Sequence, residues 1–157
     1  MTESTVKPGP ADRRILDELQ QHGRISNVEL AEKVGLSDSP CLRRVRALEE
    51  SGVISGYRAV LDRRKLGFDV VAFVQLNLDQ QSESETAKFM QAVSREDRII
   101  ECYALSGDHD YLLKVVASNI DEFSELTMKR ILRFPGVKDL SSAFVLLDVK
   151  DSQRIPV

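Results

Sequence analysis

Hydrophobic positions recur at helical spacing through the first third of the chain. In ADRRILDELQQHG, Ile15, Leu16 and Leu19 share one face, and Gly23 is placed to stop the helix. The next segment, SNVELAEKVG, opens on Ser26 with Glu29 three residues on, the spacing at which each side chain satisfies a backbone N–H of the first turn. Val28, Ala31 and Val34 supply its expected buried stripe, and Gly35 allows a sharp turn. In LSDSPCLRRVRALEESG, Ser37 or Ser39 serves as N-cap, Pro40 is tolerated in the first turn, and Leu42, Val45 and Leu48 are predicted to face inward. The helix should end near Ser51, with Gly52 as its stop. Three short helices with a tight turn between the second and third have the spacing of a helix-turn-helix, whose last helix enters the DNA major groove.

Further along, the period changes. Residues 53–67 read as a strand plus linker, and residues 69–79 alternate as a strand. A helix follows over 82–96 with Ala87, Met90 and Val93 inward, then strands in RIIECYALSG and DYLLKVVAS, close enough to form a hairpin. A second helix starts at an Asn cap and stops at Pro135 and Gly136, before a last strand in SSAFVLLDVK. The order βαββαβ predicts a ferredoxin-like sheet with two helices on one face, so the fold class is α+β with an N-terminal, winged-helix-like helix-turn-helix domain. Val71 and Phe73 alternate with Val70, Ala72, Val74 and Leu76, and Val145 and Leu147 with Phe144 and Leu146. An apolar second face predicts sheet-to-sheet homodimers or a higher oligomer, a tetramer or octamer. The boundaries read as a loose tail over 1–10, the helix-turn-helix domain over 11–56, a strand and linker over 57–67, the βαββαβ domain over 68–150 and a C-terminal tail over 151–157.

Charge alters this picture locally. Net charge is −3, which gives no global pull on a polyanion. Up to Lys65, however, 12 Lys and Arg stand against 10 Asp and Glu, leaving 10 against 15 beyond it. Arg43, Arg44 and Arg46 concentrate that positive balance on the third helix; with Leu42, Val45 and Leu48 inward, Arg43 points away from the core beside Ser39, Arg46 and Ala47, and Arg44 falls near the rim. Such a face is often plain solvated charge, but the preceding turn and cap favour DNA. Two cysteines sixty residues apart and two histidines form neither a disulfide framework nor a metal signature, and no apolar run approaches a membrane span. A cytoplasmic, nucleoid-associated protein without membrane partner, metal or catalytic residues is expected.

The stretch GRISNVELAEKVGLSDSPCLRRVRALEESGVISGY resembles the DNA-binding segment of the Lrp/AsnC, or feast/famine, regulators, and SGDHDYLLKV and ILRFPGVKD resemble their effector domain. The resemblance implies a bacterial or archaeal transcription regulator of amino-acid metabolism, without catalysis, that binds double-stranded, pseudo-palindromic operator DNA. It implies DNA contacts at Ser37, Asp38, Ser39, Pro40, Arg43, Arg44 and Arg46, with Arg43 assigned to a base edge and Arg44 to phosphate. It also implies no cofactor but an amino-acid effector, held at an inter-subunit site by Tyr103, Ser106, Gly107, Asp108, His109 and Asp110. His109 stands where the family more often carries an aromatic residue.

Two other classes use the same GDHD hairpin: a small amino-acid-binding enzyme, with His109 and an aspartate or Cys102 as its reactive groups, and a protein-binding adaptor.

Overall fold

A computed structural model of the chain describes residues 8–79, 82–150 and 154–157. It divides into two compact units, one of residues 1–60 with 150–157 and one of residues 61–149. The expected N-terminal tail falls mostly on residues outside those described, and the first helix starts at Pro10.

The first unit is built from α1 (Pro10–Gln21), α2 (Asn27–Val34) and α3 (Asp38–Glu50). Local signals set their ends. Ser26 and Glu29 form the predicted reciprocal cap, Ser26 N–H donating to Glu29 Oε2 at 3.0 Å and Glu29 N–H to Ser26 Oγ at 3.3 Å. At Gly35 the chain takes φ +69°, a left-handed conformation that lets Leu36 N–H return to the Ala31 carbonyl at 2.9 Å. Ile15, Leu16, Leu30, Ala31, Val34, Cys41 and Leu48 close the core, with Leu19, Ile25, Leu36, Val45 and Ile54 packed around it.

Two of the predicted stripes differ in one member. In α2, Ala31 and Val34 are buried as expected, but Leu30 joins them and Val28 is half exposed, since the larger leucine side chain takes the buried position. In α3, Cys41, Val45 and Leu48 face the core, and Leu42 is turned to solvent. Residues 154–157 return to this unit: Gln20 donates to the Ile155 carbonyl at 3.0 Å and accepts from its N–H at 2.7 Å, while Arg154 pairs with Asp17. The expected C-terminal tail is therefore held against α1 at Arg154 and Ile155.

The second unit carries β1 (Val70–Leu78), α4 (Glu83–Ser94), β2 (Ile99–Ala104), β3 (Tyr111–Ala117), α5 (Ile120–Glu125) and β4 (Val137–Phe144) in the antiparallel order β2-β3-β1-β4. The predicted strand within 57–67 is absent; these residues pair with no strand and contain only a 3-10 turn, Arg64–Leu66. The last strand lies earlier than predicted. It ends at Phe144, opposite Ala72, with one further bond from Val145 N–H to the Val71 carbonyl at 2.9 Å, and Leu146, Leu147 and Val149 remain exposed.

On one sheet face Val74, Leu76, Leu113 and Val115 pack with Phe89 of α4 and with Phe123 and Leu126 of the second helical segment. Phe89, rather than the predicted Ala87 and Met90, enters this core, its ring centroid 4.7 Å from Tyr111 and 6.4 Å from Phe134. The bulkier ring takes the deeper position. The second segment begins as predicted at Asn119, whose side chain accepts from Glu122 N–H at 2.8 Å. It then widens into a π turn, Leu126–Arg130, where Thr127 Oγ1 donates back to the Phe123 carbonyl at 2.9 Å and competes for the helical acceptor. The other sheet face is less apolar than expected: Val71, Phe73, Leu112 and Val116 share it with Gln75 and the Glu101–Lys114 ion pair, 3.2 Å apart.

Glu96, only 8% exposed, ties the end of α4 to both neighbours through Arg98 and Arg130, each at 2.8 Å. The Arg98 hydrogen bond, outweighing burial, holds its carboxyl below the usual range. A carboxylate with a depressed folded pKa contributes stability above its unfolded pKa and loses it as pH falls through the folded value. Glu96→Gln should cost about 1–3 kcal/mol at pH 7, and the gap to wild type should narrow at an acid pH below the depressed folded pKa, where the carboxyl is protonated. Urea unfolding at both pH values checks this; a gap independent of pH refutes it.

Candidate nucleic-acid interface and effector hairpin

Burial of Cys41, Val45 and Leu48 along one side of α3 leaves the opposite side to solvent. That face presents Ser39, Leu42, Arg43, Arg46, Ala47 and Glu50 around a shallow concavity. Ser37 is the N-cap, but its hydroxyl makes no capping hydrogen bond, so it is not consumed within the helix. Pro40 lies in the first turn and is half buried, and Asp38 is exposed, its carbonyl accepting from Asn27 Nδ2 at 3.0 Å. This bond joins the start of α2 to the start of α3 and fixes the turn between them.

The three arginines divide by their partners. Arg44 Nη1 lies 2.9 Å from Asp12 Oδ1, and the second oxygen of Asp12 accepts from Gly9 N–H at the start of α1. Among the described residues Arg43 and Arg46 make no hydrogen bond or ion pair, so their guanidinium groups are left to solvent. The Arg44–Asp12 pair, separated by 32 positions, left no local signal in the sequence. Tyr57 donates to Glu49 Oε1 at 2.9 Å, and burial together with that carboxylate pushes its hydroxyl up to about 12.

In the second unit the hairpin between β2 and β3 closes through Leu105 N–H and the Asp110 carbonyl at 2.9 Å. Asp110 is bound to the neighbouring strand: its Oδ2 accepts from Leu78 N–H at 2.8 Å and its own N–H donates to the Leu76 carbonyl at 3.1 Å. Ser106, Gly107 and Asp108 are exposed at the tip, and Gly107 has φ +144°, a conformation that disfavours side chains. His109 is half buried, its Nδ1 without a partner among the described residues. Tyr103 lies on the helix-free face, donating to Glu101 Oε2 at 2.9 Å, while Cys102 alternates to the other face opposite Leu113.

Beside the hairpin base runs a groove of about 400 Å³, with Ala87 and Met90 of α4 facing Ala104, Leu105 and Tyr111. Asp110 and Glu83 stand at its polar edge. Ala87 and Met90, expected in the core, are thus lining residues that sequence reasoning missed; their i, i+3 spacing was visible but equally compatible with a buried stripe. Burial raises the Cys102 thiol above its usual pKa, which disfavours the thiolate that an enzymatic pairing with His109 requires. Among the described residues no three His, Cys, Asp or Glu side chains are grouped to hold a metal, and no helix is long and apolar enough to cross a membrane.

A three-helix unit with a solvent-facing, cationic last helix, joined to a βαββαβ unit with a hairpin-side groove, defines a helix-turn-helix regulator carrying a ligand-domain fold. Residues 10–55 match the family model for winged helix-turn-helix DNA-binding, and residues 71–155 the model for the Lrp/AsnC ligand binding domain. The leucine-responsive regulatory proteins of Klebsiella pneumoniae and Escherichia coli K12 are each 42% identical over 161 aligned residues, covering 100% of this chain and 98% of the relative. A Neisseria meningitidis transcriptional regulator solved in complex with L-Met superposes with TM-score 0.92 at 34% identity, covering 96% of this chain and 97% of its own. An AsnC family transcriptional regulator from Agrobacterium tumefaciens gives 0.89 at 36%, covering 95% and 97%. The chain belongs to the Lrp/AsnC family: it is a DNA-binding transcriptional regulator with an amino-acid ligand-binding domain.

Proposed function

We propose that this regulator reads a pseudo-palindromic operator with the outer face of α3, assembles through its helix-free sheet face, and is tuned by an apolar amino acid at the β2–β3 hairpin. The observation that carries the reading is the division among the arginines: Arg43 and Arg46 are available on the solvent face, whereas Arg44 is held by Asp12. Arginine suits the groove because its planar fork donates two parallel hydrogen bonds to guanine O6 and N7 or to phosphate. Ser37, Asp38, Ser39 and Pro40 lie at the entry of the same helix, where backbone and hydroxyl groups meet phosphate. On this reading Arg44 positions α1 against α3 and contributes little to DNA directly.

At the hairpin, Ser106 and Gly107 offer backbone N–H groups to a carboxylate, and Asp108, exposed at the tip, pairs with an ammonium group. Asp110 supports the loop through Leu78, and His109 borders it. The groove along Ala87, Met90, Ala104 and Leu105 suits an unbranched or branched aliphatic side chain, which agrees with the L-Met bound by the Neisseria relative and with the leucine response named for the curated relatives. Tyr103, on the other face, is assigned to the assembly surface with Val71, Phe73, Leu112 and Val116. Exposed Leu146 and Leu147 extend that surface's apolar area.

Arg43→Ala should weaken operator binding by about 1–3 kcal/mol and relax sequence preference, with unchanged unfolding stability. Titration at fixed salt tests it, and binding that does not weaken log-linearly with salt contradicts a phosphate-rich interface. In thermal unfolding, L-Leu or L-Met at a hundredfold excess over Kd should stabilise the protein by about 2.7 kcal/mol, an effect that Asp108→Ala abolishes. Stabilisation by acidic or basic amino acids alone overturns the apolar assignment. Sedimentation should show a dimer or larger species that Leu112→Asp dissociates; a lone 17.7 kDa species for the wild type sinks the assembly reading.

A further inference from the structure

We infer that Leu42 is a specificity-determining residue of the reading helix and takes the C5-methyl group of a thymine next to a base contacted by Arg43 or Arg46. The inference rests on the proposal that α3 enters the major groove. Leu42 is 39% exposed, although it stands one position from the buried Cys41 and within a helix whose apolar stripe had room for it in the sequence pattern. It lines the same shallow concavity as Ser39, Arg43, Arg46 and Ala47. From Ser39 to Glu50 this stripe rises about 16 Å, the length of roughly five stacked base pairs.

The chemistry of the groove narrows what Leu42 can read. Every base edge there offers hydrogen-bond donors or acceptors, and the thymine methyl is the one apolar group. A leucine set over cytosine N4 or adenine N6 would strip water from a donor without replacing the bond, which is costly. Over a thymine methyl it removes apolar surface from water on both sides. Arg43 and Arg46, one residue and one turn away, supply the polar contacts around it, so the pattern specified is thymine adjoining guanine. An exposed leucine that borders the same concavity as two unpartnered guanidinium groups thereby gains a role that neither solubility nor the core gives it.

The test uses the full chain and a duplex that it selects from a random pool. Each thymine is replaced singly by deoxyuridine, which deletes the methyl group and leaves base pairing intact. One thymine per half-site should show about a fourfold loss of affinity, the worth of one buried methyl group. Leu42→Ala should lose that sensitivity entirely, while Leu42→Met, which keeps an apolar side chain, should retain it. A scan in which no thymine responds, or in which the response survives Leu42→Ala, overturns the assignment. If Leu42→Ala unfolds, a response lost in Leu42→Ser but kept in Leu42→Met supports it, and a response kept in both overturns it. Failure of the chain to enrich any duplex overturns the DNA-reading proposal as well, and so is distinguishable from failure of Leu42 alone.

Discussion

The burial of Cys41 beneath α3 is the constraint on which the DNA-binding unit turns. With Cys41, Val45 and Leu48 held against Ile15, Leu30 and Val34, the helix has one rotational setting. That setting decides which side chains meet solvent. A rotation of one position would bury Leu42, swing Arg43 toward the rim and exchange it for Arg44 on the outer face. A small side chain suits the site because α3 must approach α1 and α2 closely, and the thiol, its pKa raised by burial, remains a packing element.

The same setting explains how an acidic protein presents a cationic face. Asp12 neutralises Arg44 where the helices meet, and the half-exposed pair contributes modestly to stability. Its larger consequence is geometric. One of three neighbouring arginines is tied to α1 while staying partly exposed, and the other two are spaced by three residues, nearly one turn, along the outer face of α3. Net charge over the whole chain is −3, so general attraction to a polyanion is weak and local cationic clusters such as this one must carry it.

Features written in neighbouring residues were legible before any coordinates. The Ser26 and Glu29 cap, the Gly35 turn, the Asn119 cap and the βαββαβ order all follow from spacings of a few positions. What failed depended on choices between equivalent local patterns. Ala31 and Val34 are buried as expected, but Val28 and Leu30 are both valid third members of that stripe, and only packing against the rest of the core selects Leu30. Phe89 displaced Met90 for the same reason. The widened turn after α5 arises within its own segment, where Thr127 donates to the Phe123 carbonyl, but a helical threonine can equally point to solvent, so the sequence does not announce it. For the site, the residue types at 37–46 and 106–110 were visible, but the division of labour among the arginines, and between Asp108 and Asp110, came from partners more than thirty positions away.

That division at the hairpin has a mechanical meaning. Asp110 fastens the hairpin base to β1 through Leu78 and Leu76, and Asn77 extends the tie to Asp139 of β4 at 2.8 Å. The base therefore moves with the centre of the sheet. The tip has no such restraint: Ser106, Gly107 and Asp108 are exposed, and Gly107 permits backbone conformations closed to other residues. On the proposed reading, a ligand held by that tip orders a segment whose two ends are already fixed, so the entropy lost is confined to a few residues. His109, half buried, stands between the exposed tip and Asp110, so the boundary between the fixed and unfixed parts of the hairpin falls at this residue.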